Sequence, residues 1–468
     1  MRESALAALA CFFVVASPGS AAPKPIAITD VNLIDVTGGA VIEHSTVVFS
    51  GGRIVDVGKS ANVHIPHSAQ VVDGSGRFLI PGLWDMHVHM VFGDWFPQSR
   101  EIVLPLFVAN GVTGVRDMGG ELEVLQQWRR EIGQGKLLGP RIITSGPMLD
   151  GPKPRFPSSV AVASPEDGRK AVDDLKRRGA DFIKLQSLMS RESYFAIADE
   201  ARRQGIVFAG HVPDAIRAVE ASNAGQKSIE HLTGVFEGCS NVEDELLRGP
   251  KGIKRFLETF DDAKAAALIA VFKKNRTWQA PTLVWERGGN LLDQRDLQHD
   301  PRARYVPVSW KNGAWRRFTE DILKDQANDD LQTRQRFVAK EIEVVRDMHR
   351  AGIPFLAGTD TAAGVYVFPG FSLHEEMQLL VRAGFTPLEA LQCATRNPAE
   401  YLGKLSEMGT LEKGKVADLV LLDANPLDDI ANTQRIAGVV VTGRYLSRAE
   451  LDRLLRSVEM AAVKHGAP

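Results

Sequence analysis

Cysteine is scarce: there are 3 in 468 residues, at positions 11, 239 and 393, and none belongs to a Cys-x-x-Cys pair. That excludes a disulfide framework, and Cys239 and Cys393 read as small buried hydrophobes. An excess of one charge is also missing, because 56 Lys and Arg face 58 Asp and Glu for a net charge of −2. The basic surface of a nucleic-acid binder is therefore not expected. Beyond residue 22 no segment approaches the roughly 20 apolar residues of a membrane span. No Gly-rich phosphate loop follows any candidate strand. What remains is an ordinary globular composition, 44% hydrophobic and 24% charged, long enough for two domains or for one large domain with an appendage.

The first 22 residues stand apart. Residues 5–17 are an apolar run of signal-peptide length, and the small residues of 18–22 suit a cleavage site. Cleavage is expected near Ala21 or Ala22, with Pro23 favouring Ala21, and the mature protein is expected to be periplasmic or secreted. Cys11 lies in the middle of the apolar run and not just after it, the wrong place for a lipid anchor.

Short strands broken by turns fill residues 26–72, at 26–28, 32–36, 46–49, 53–57 and 70–72, with Gly38-Gly39, Gly51-Gly52 and Gly74-Ser75-Gly76 between them. His64 and His67 flank Pro66 and read as exposed loop residues. After residue 80 the rhythm becomes strand, loop, helix. Candidate strands are 83–89, 112–118, 141–145, 182–186, 207–212, 228–232, 278–283 and 354–360. Candidate helices are 99–109, 121–133, 165–179, 191–204, 214–224, 262–275 and 330–351. This alternation predicts an α/β fold, specifically a (β/α)8 TIM barrel over 81–404, with a doubly wound sheet as the alternative. Ser372 and Glu375 have capping-box spacing, and Asn397-Pro398 reads as an N-cap followed by Pro at the first helical position. Strands return at 416–422 and 436–441, with Gly414 and Gly443 as turn residues. The simplest plan inserts the barrel into a small β-sandwich built from both chain ends, 23–80 and 405–468, and closes with an amphipathic helix at 447–463.

One stretch organises the chain, residues 79–90. As a strand it puts Asp85, His87 and His89 on one face, and two imidazoles two residues apart are well placed to share a metal. Lys184, His211, His231 and Asp360 lie near the ends of the fourth, fifth, sixth and eighth candidate strands. All would reach the C-terminal rim, where barrel enzymes carry their chemistry. Each alone has an ordinary explanation: a snorkelling lysine, a hydrogen-bonded core histidine, an aspartate capping a turn. Together on five strands they call for a shared ligand.

With these motifs on the page the chain resembles the amidohydrolase superfamily. The resemblance rests on Pro81-Gly82-Leu83-Trp84-Asp85-Met86-His87-Val88-His89, Phe182-Ile183-Lys184, Gly210-His211, Glu230-His231, Gly358-Thr359-Asp360 and the strand segment 409–418. It looks closest to the imidazolonepropionase-related group with binuclear sites, which includes Xaa-Pro dipeptidase-like, carboxypeptidase-like and ochratoxin-hydrolysing members. The resemblance implies two divalent metal ions, Zn²⁺ first, with Mn²⁺, Co²⁺ or Fe²⁺ as alternatives. His87, His89 and Asp360 would hold one ion and His211 and His231 the other, bridged by a carbamate that carbon dioxide forms on Lys184. A metal-bridging hydroxide would then attack the amide carbonyl of a dipeptide or N-acyl amino acid, with Asp360 as catalytic proton shuttle. Asp85 is a candidate partner behind the ligands.

Specificity should come from two long segments, 146–157 and 285–328, read as loops overhanging the site. Lys153 and Arg155 are candidates to bind a substrate carboxylate, against the alternative of solvated surface cations. His374 reads as structural and His349 as a surface helix residue. A mononuclear cyclic-amide hydrolase or deaminase, a lactonase, a phosphotriesterase and a non-catalytic scaffold remain open. The expected partner is a small-molecule or dipeptide substrate, and assembly into a homo-oligomer is left open.

Overall fold

Gly-punctuated alternation at the amino terminus produces β1 (Ile26–Leu33), β2 (Ile42–Ser50), β3 (Arg53–Lys59), β4 (Gln70–Asp73) and β5 (Phe78–Pro81). The computed structural model describes residues 24–464 apart from 39–40, 94, 250, 295 and 297–298, and no side chain is described for residue 325. The expected export segment, residues 1–22 with Cys11, lies outside the described residues. β1 joins two segments expected as separate strands: Asp30 takes a left-handed φ of 51° and the pairing with β2 shifts register there, so the strand bends without ending.

The parallel strands follow. β6 (Leu83–Val88), β7 (Val112–Asp117) and β8 (Arg141–Thr144) form one sheet in that order. β9 (Leu149–Asp150), β10 (Val160–Ala161), β11 (Ile183–Leu185), β12 (Phe208–Gly210), β13 (Ser228–Glu230) and β14 (Trp278–Ala280) form a second, ordered β10-β9-β11-β12-β13-β14. Expected strand 354–360 is not a ladder. It touches β14 through a Gln279–Phe355 bridge, and Met86 of β6 donates to the Ala357 carbonyl at 2.9 Å. A second bridge joins Thr361 to Val88, and the Thr359 N–H is shared between the Asp85 carboxylate at 3.0 Å and the His87 carbonyl at 3.3 Å, so the pairing stays in isolated bridges up to the turn where Asp360 adopts φ 61°. Expected strand 278–283 likewise stops at Ala280, where Pro281 offers no donor and Thr282 takes φ 48°.

Helices Ser99–Ala109, Leu122–Gly133, Pro165–Arg177, Arg191–Gln204, Asp262–Asn275 and Leu331–Arg350 lie where the apolar period put them. The 214–224 helix is shorter, Ala218–Asn223. Span 285–328 is a correction: it carries helices Leu283–Asn290 and Arg316–Gln326 with short helical turns between them, and is not an open loop. Two caps also differ. Helix Phe371–Arg382 starts from Gly370, while the Ser372 hydroxyl accepts from Phe368 N–H and Glu375 pairs with Arg287. Helix Arg396–Tyr401 begins before Asn397, whose amide donates to the Phe355 carbonyl. The capping box lies at Thr386 and Glu389, with Pro387 at the first helical position.

β15 (Leu419–Leu422), β16 (Ile436–Val441) and β17 (Arg444–Ser447) then join the amino-terminal strands in one eight-stranded sheet, β17-β16-β15-β5-β1-β2-β3, with β4 beside β1. The two chain ends thus share one sheet. The Ile54 N–H bonds the Lys415 carbonyl and the Ala417 N–H bonds that of Gly52, bringing β3 against the approach to β15. Ile28, Val47, Phe49, Leu79, Leu419 and Val440 fill its core, each worth roughly 1.5–3 kcal/mol of burial. Helix Arg448–Lys464 packs on Ser99–Ala109. His64 and His67 are exposed, and Cys239 and Cys393 are buried, as expected. His349 is not a free surface residue: its ring packs edge-on against Phe385 at 3.8 Å.

His374 is fully buried and ties three segments together. Its Nε2 donates to the Asn110 carbonyl at 3.1 Å and its Nδ1 lies 2.9 Å from the Thr433 hydroxyl. Burial pushes its pKa down to about 4, so the folded protein holds it neutral while the unfolded chain protonates it near 6.5. Its contribution is full above the unfolded value and is lost as pH falls toward 4, by about 3 kcal/mol at the limit. Denaturant titrations between pH 7 and 4 should show a shallower loss of stability for His374→Gln than for the wild type. Parallel pH curves would remove this role.

Candidate active site

Four imidazoles form a row across the strand ends. Ring centroids are 5.5 Å apart for His89 and His87, 4.6 Å for His87 and His231, and 5.0 Å for His231 and His211. The alternation of β6 aims His87 inward, His89 follows its last residue, and His211 and His231 each follow the last residue of β12 and β13. His231 and Asp360 take left-handed φ values of 57° and 61°, which turns both off their strands.

Every one of these rings is fixed through Nδ1. His87 donates to Glu230 Oε2 at 2.9 Å and His89 to the Gly119 carbonyl at 3.0 Å. His211 meets the Ser187 hydroxyl at 2.9 Å and His231 the Thr282 hydroxyl at 2.6 Å. Both hydroxyls spend their own hydrogen elsewhere, on Gln186 and the Pro281 carbonyl, so they accept from the rings. The Nε2 lone pairs are left for the site, the orientation that metal-ligating histidines need. Burial lowers His87 and His211 well below the usual range and His231 to about 4, keeping all three neutral. For His89 burial lowers the pKa and the Asp360 carboxylate raises it, with a net upward shift.

Asp360 Oδ1 lies 3.1 Å from His89 Nε2 and 3.5 Å from His87 Nε2, and its Oδ2 lies 3.8 Å from His231 Nε2. His87, His89 and Asp360 present ligand atoms within 4.8 Å of one another. Lys184, on β11, is 1% exposed and its Nζ has no hydrogen-bond partner among the described residues. Its stem fits because Gly210 has no Cβ, which would come within 2.8 Å of Lys184 Cδ. Burial lowers the Lys184 amine to about 8. Neutral imidazoles, a carboxylate and partnerless His87 Nε2 and Lys184 Nζ atoms are a donor set that fits divalent metal and leaves little else to satisfy it.

The residues behind this set were only partly legible. Arg116 of β7, fully buried, donates to both Glu230 oxygens at 2.9 Å, to the Met86 carbonyl at 2.6 Å and to Tyr401 at 2.9 Å. Glu230 in turn fixes His87. The Glu230-His231 pair was visible as a motif, but nothing along the chain couples Arg116 to it. Asp85 accepts from Thr359 Oγ1 at 2.6 Å and from the His87 N–H at 3.3 Å, linking β6 to the turn that carries Asp360. Burial pushes its carboxyl up to about 7.

A cavity of about 240 Å³ stands over the set, floored by Lys184, His211 and Asp360 and walled by Phe92, Phe156 and Phe318. Arg155 lines its mouth; Lys153 is exposed and does not. Segment 146–157, expected to overhang the site, supplies Phe156, stacked edge-on with Phe92 at 5.2 Å. Trp285 and Glu286, at the start of the unexpected helix, supply another wall.

Comparison with known proteins agrees with this geometry. The model of the Amidohydrolase family matches residues 78–446. Ochratoxinase of Aspergillus niger is 25% identical over 410 residues, covering 75% of this chain and 71% of the relative. Imidazolonepropionase of Caulobacter vibrioides is 25% identical over 396 residues, covering 82% and 88%. Among solved structures, a candidate prolidase of Bifidobacterium longum superposes with a TM-score of 0.69 at 28% identity, covering 93% of this chain and 99% of that one. Such neighbours imply a TIM barrel for the parallel sheets. The chain is a hydrolase and belongs to the Amidohydrolase family.

Proposed function

We propose that the protein hydrolyses the amide bond of a dipeptide or N-acyl amino acid at a two-metal site. The observation that carries this reading is Lys184: an amine with no hydrogen-bond partner among the described residues, beside the proposed ligands, in surroundings that lower its pKa to about 8. A charged ammonium there has only donors to offer and cannot ligate a cation. An Nζ carbamate formed with carbon dioxide would supply two oxygen donors. His87, His89 and Asp360 would then hold one ion, and His211 and His231 the other. Divalent metal bound there, Zn²⁺ or else Mn²⁺, Co²⁺ or Fe²⁺, supplies Lewis acidity that activates water near neutral pH and polarises the scissile carbonyl.

The chain's own residues do the rest. Asp360 takes the proton of the attacking water and returns it to the leaving amine; its net lowered pKa keeps it ionised and free to accept. For that group burial raises the pKa, and the His89 contact and neighbouring histidines outweigh it. The Arg116–Glu230 pair holds His87 in one orientation, and the aromatic wall excludes water from the amide. The relatives named ochratoxinase and prolidase support amide chemistry. The mononuclear cyclic-amide reading has no use for Lys184. In the same proposal the parallel sheets close into a (β/α)8 barrel over 81–404, held in a sandwich of 23–80 and 405–468, and residues 1–22 direct export.

Metal analysis of active enzyme should give about two ions per chain, and Lys184→Ala should fall to about one or fewer with activity reduced at least about 100-fold. Fewer than about 1.5 ions in active wild-type enzyme, or an unimpaired Lys184→Ala variant, would sink the two-metal reading. Bicarbonate added during metal loading should raise the activity of wild-type enzyme and leave Lys184→Ala unchanged. Asp360→Asn, tested on a panel of Xaa-Pro, N-acetyl and C-terminal aromatic amides, should lose about 10²–10⁴ in kcat. A loss confined to KM would argue against the proton-shuttle role.

A further inference from the structure

A second cavity, about 1130 Å³, opens beside the first and shares Ser187, His231, Thr233, Trp285 and Glu286 with it. The cations that line it are already paired: Lys251 with Asp214 and Glu237, Lys254 with Glu258, Arg255 with Glu245, Arg334 with Asp293. Of the carboxyls on its wall, Glu286 and Glu341 make no ion pair among the described residues. Glu286 sits in helix Leu283–Asn290 and Glu341 in helix Leu331–Arg350. Glu341 is 2% exposed, lines the cavity, and its Oε2 has no hydrogen-bond partner.

A buried acid oxygen with no donor is costly, and a second carboxyl on the same wall makes it more so. Burial and then the neighbouring Glu341, Asp360 and Glu376 carboxyls push Glu286 well above the ordinary range, and burial pushes Glu341 up to about 8. A proton on Glu341 would relieve that cost in part, and a cation between the two carboxyls would relieve it better. Trp285 lines both cavities, with its ring 5.5 Å from that of His231, and offers an aromatic face to such a cation.

We propose that this cleft is a subsite for a positively charged group of the substrate, an ammonium or a guanidinium, held by Glu286 and Glu341 beside Trp285. The substrate class of the hydrolase is then amides that carry a basic side chain or a free amino terminus, with the scissile bond over His231 and Asp360. Only the position of the scissile bond rests on the amide-hydrolase reading; the subsite itself can be measured by binding.

The test is calorimetric titration of metal-loaded, full-length protein with L-lysine, L-norleucine and N-acetyl-L-norleucine. Lysine against norleucine isolates a side-chain cation, and norleucine against its acetylated form isolates the α-ammonium. In at least one comparison the charge should strengthen binding by about tenfold or more, equivalent to about 1.4 kcal/mol. Glu286→Gln and Glu341→Gln, each isosteric with the protonated acid, should each abolish most of that preference. Equal binding in both comparisons, or a preference surviving in both folded variants, overturns the subsite. The wild-type comparison decides even if a variant fails to fold. An intact preference without turnover of any amide would overturn the amide reading and leave the subsite standing.

Discussion

A buried arginine cannot stay charged in a protein interior unless everything around it is arranged to receive its hydrogens. Arg116 is that arginine here. Its guanidinium meets Glu230 from β13, the Met86 carbonyl of β6, Ser228 and the Tyr401 hydroxyl. One ion pair thereby fixes the spacing of three strands and of helix Arg396–Tyr401. Glu230 has a further acceptor position, which takes the Nδ1–H of His87. The position of the His87 ring is set by the same contact that holds the interior together.

The site built on this frame has rigid and adjustable parts. Each histidine is held by a specific acceptor, so the four Nε2 atoms are placed before any ligand arrives. His231, Thr282 and Asp360 adopt left-handed backbone conformations where strands β13 and β14 and segment 354–361 end. For non-glycine residues such angles persist only where the surroundings over-determine them. Around the rim the walls come from 146–157 and from helices in 283–326, where Trp285 alone packs against one of the four imidazoles, that of His231, among the ring contacts of the described residues. Chemistry and selectivity are carried by different layers of the chain.

The parallel strands and most helices were legible because hydrophobic period and glycine punctuation are local signals. Where local and tertiary demands conflicted, the local reading failed. Residues 354–360 look like a strand and do bridge β14 and β6, yet Asp85 shares the Thr359 N–H with the His87 carbonyl and the pairing stays in isolated bridges. Ser372 with Glu375 looks like a capping box, yet Glu375 is drawn to Arg287 and Arg302. The charge and tryptophan content of 285–328 suggested open loop, but Trp310 and Trp315 are fully buried and make that span helical scaffold.

The six proposed ligands were readable from their motifs, because metal-binding chemistry needs particular residue types at strand ends and little else has that pattern. Their partners were not. Arg116, Ser187 and Thr282 are ordinary residue types whose meaning comes only from which atom they face across the interior. Glu286 and Glu341 are 55 positions apart and on different helices, each unremarkable in sequence. Sequence alone determined which groups are able to carry the proposed chemistry, since residue type fixes protons and lone pairs. Only the tertiary structure decided which lone pairs face one another and which carboxyls are left without a partner, because burial and orientation belong to the packed chain and to no local segment of it.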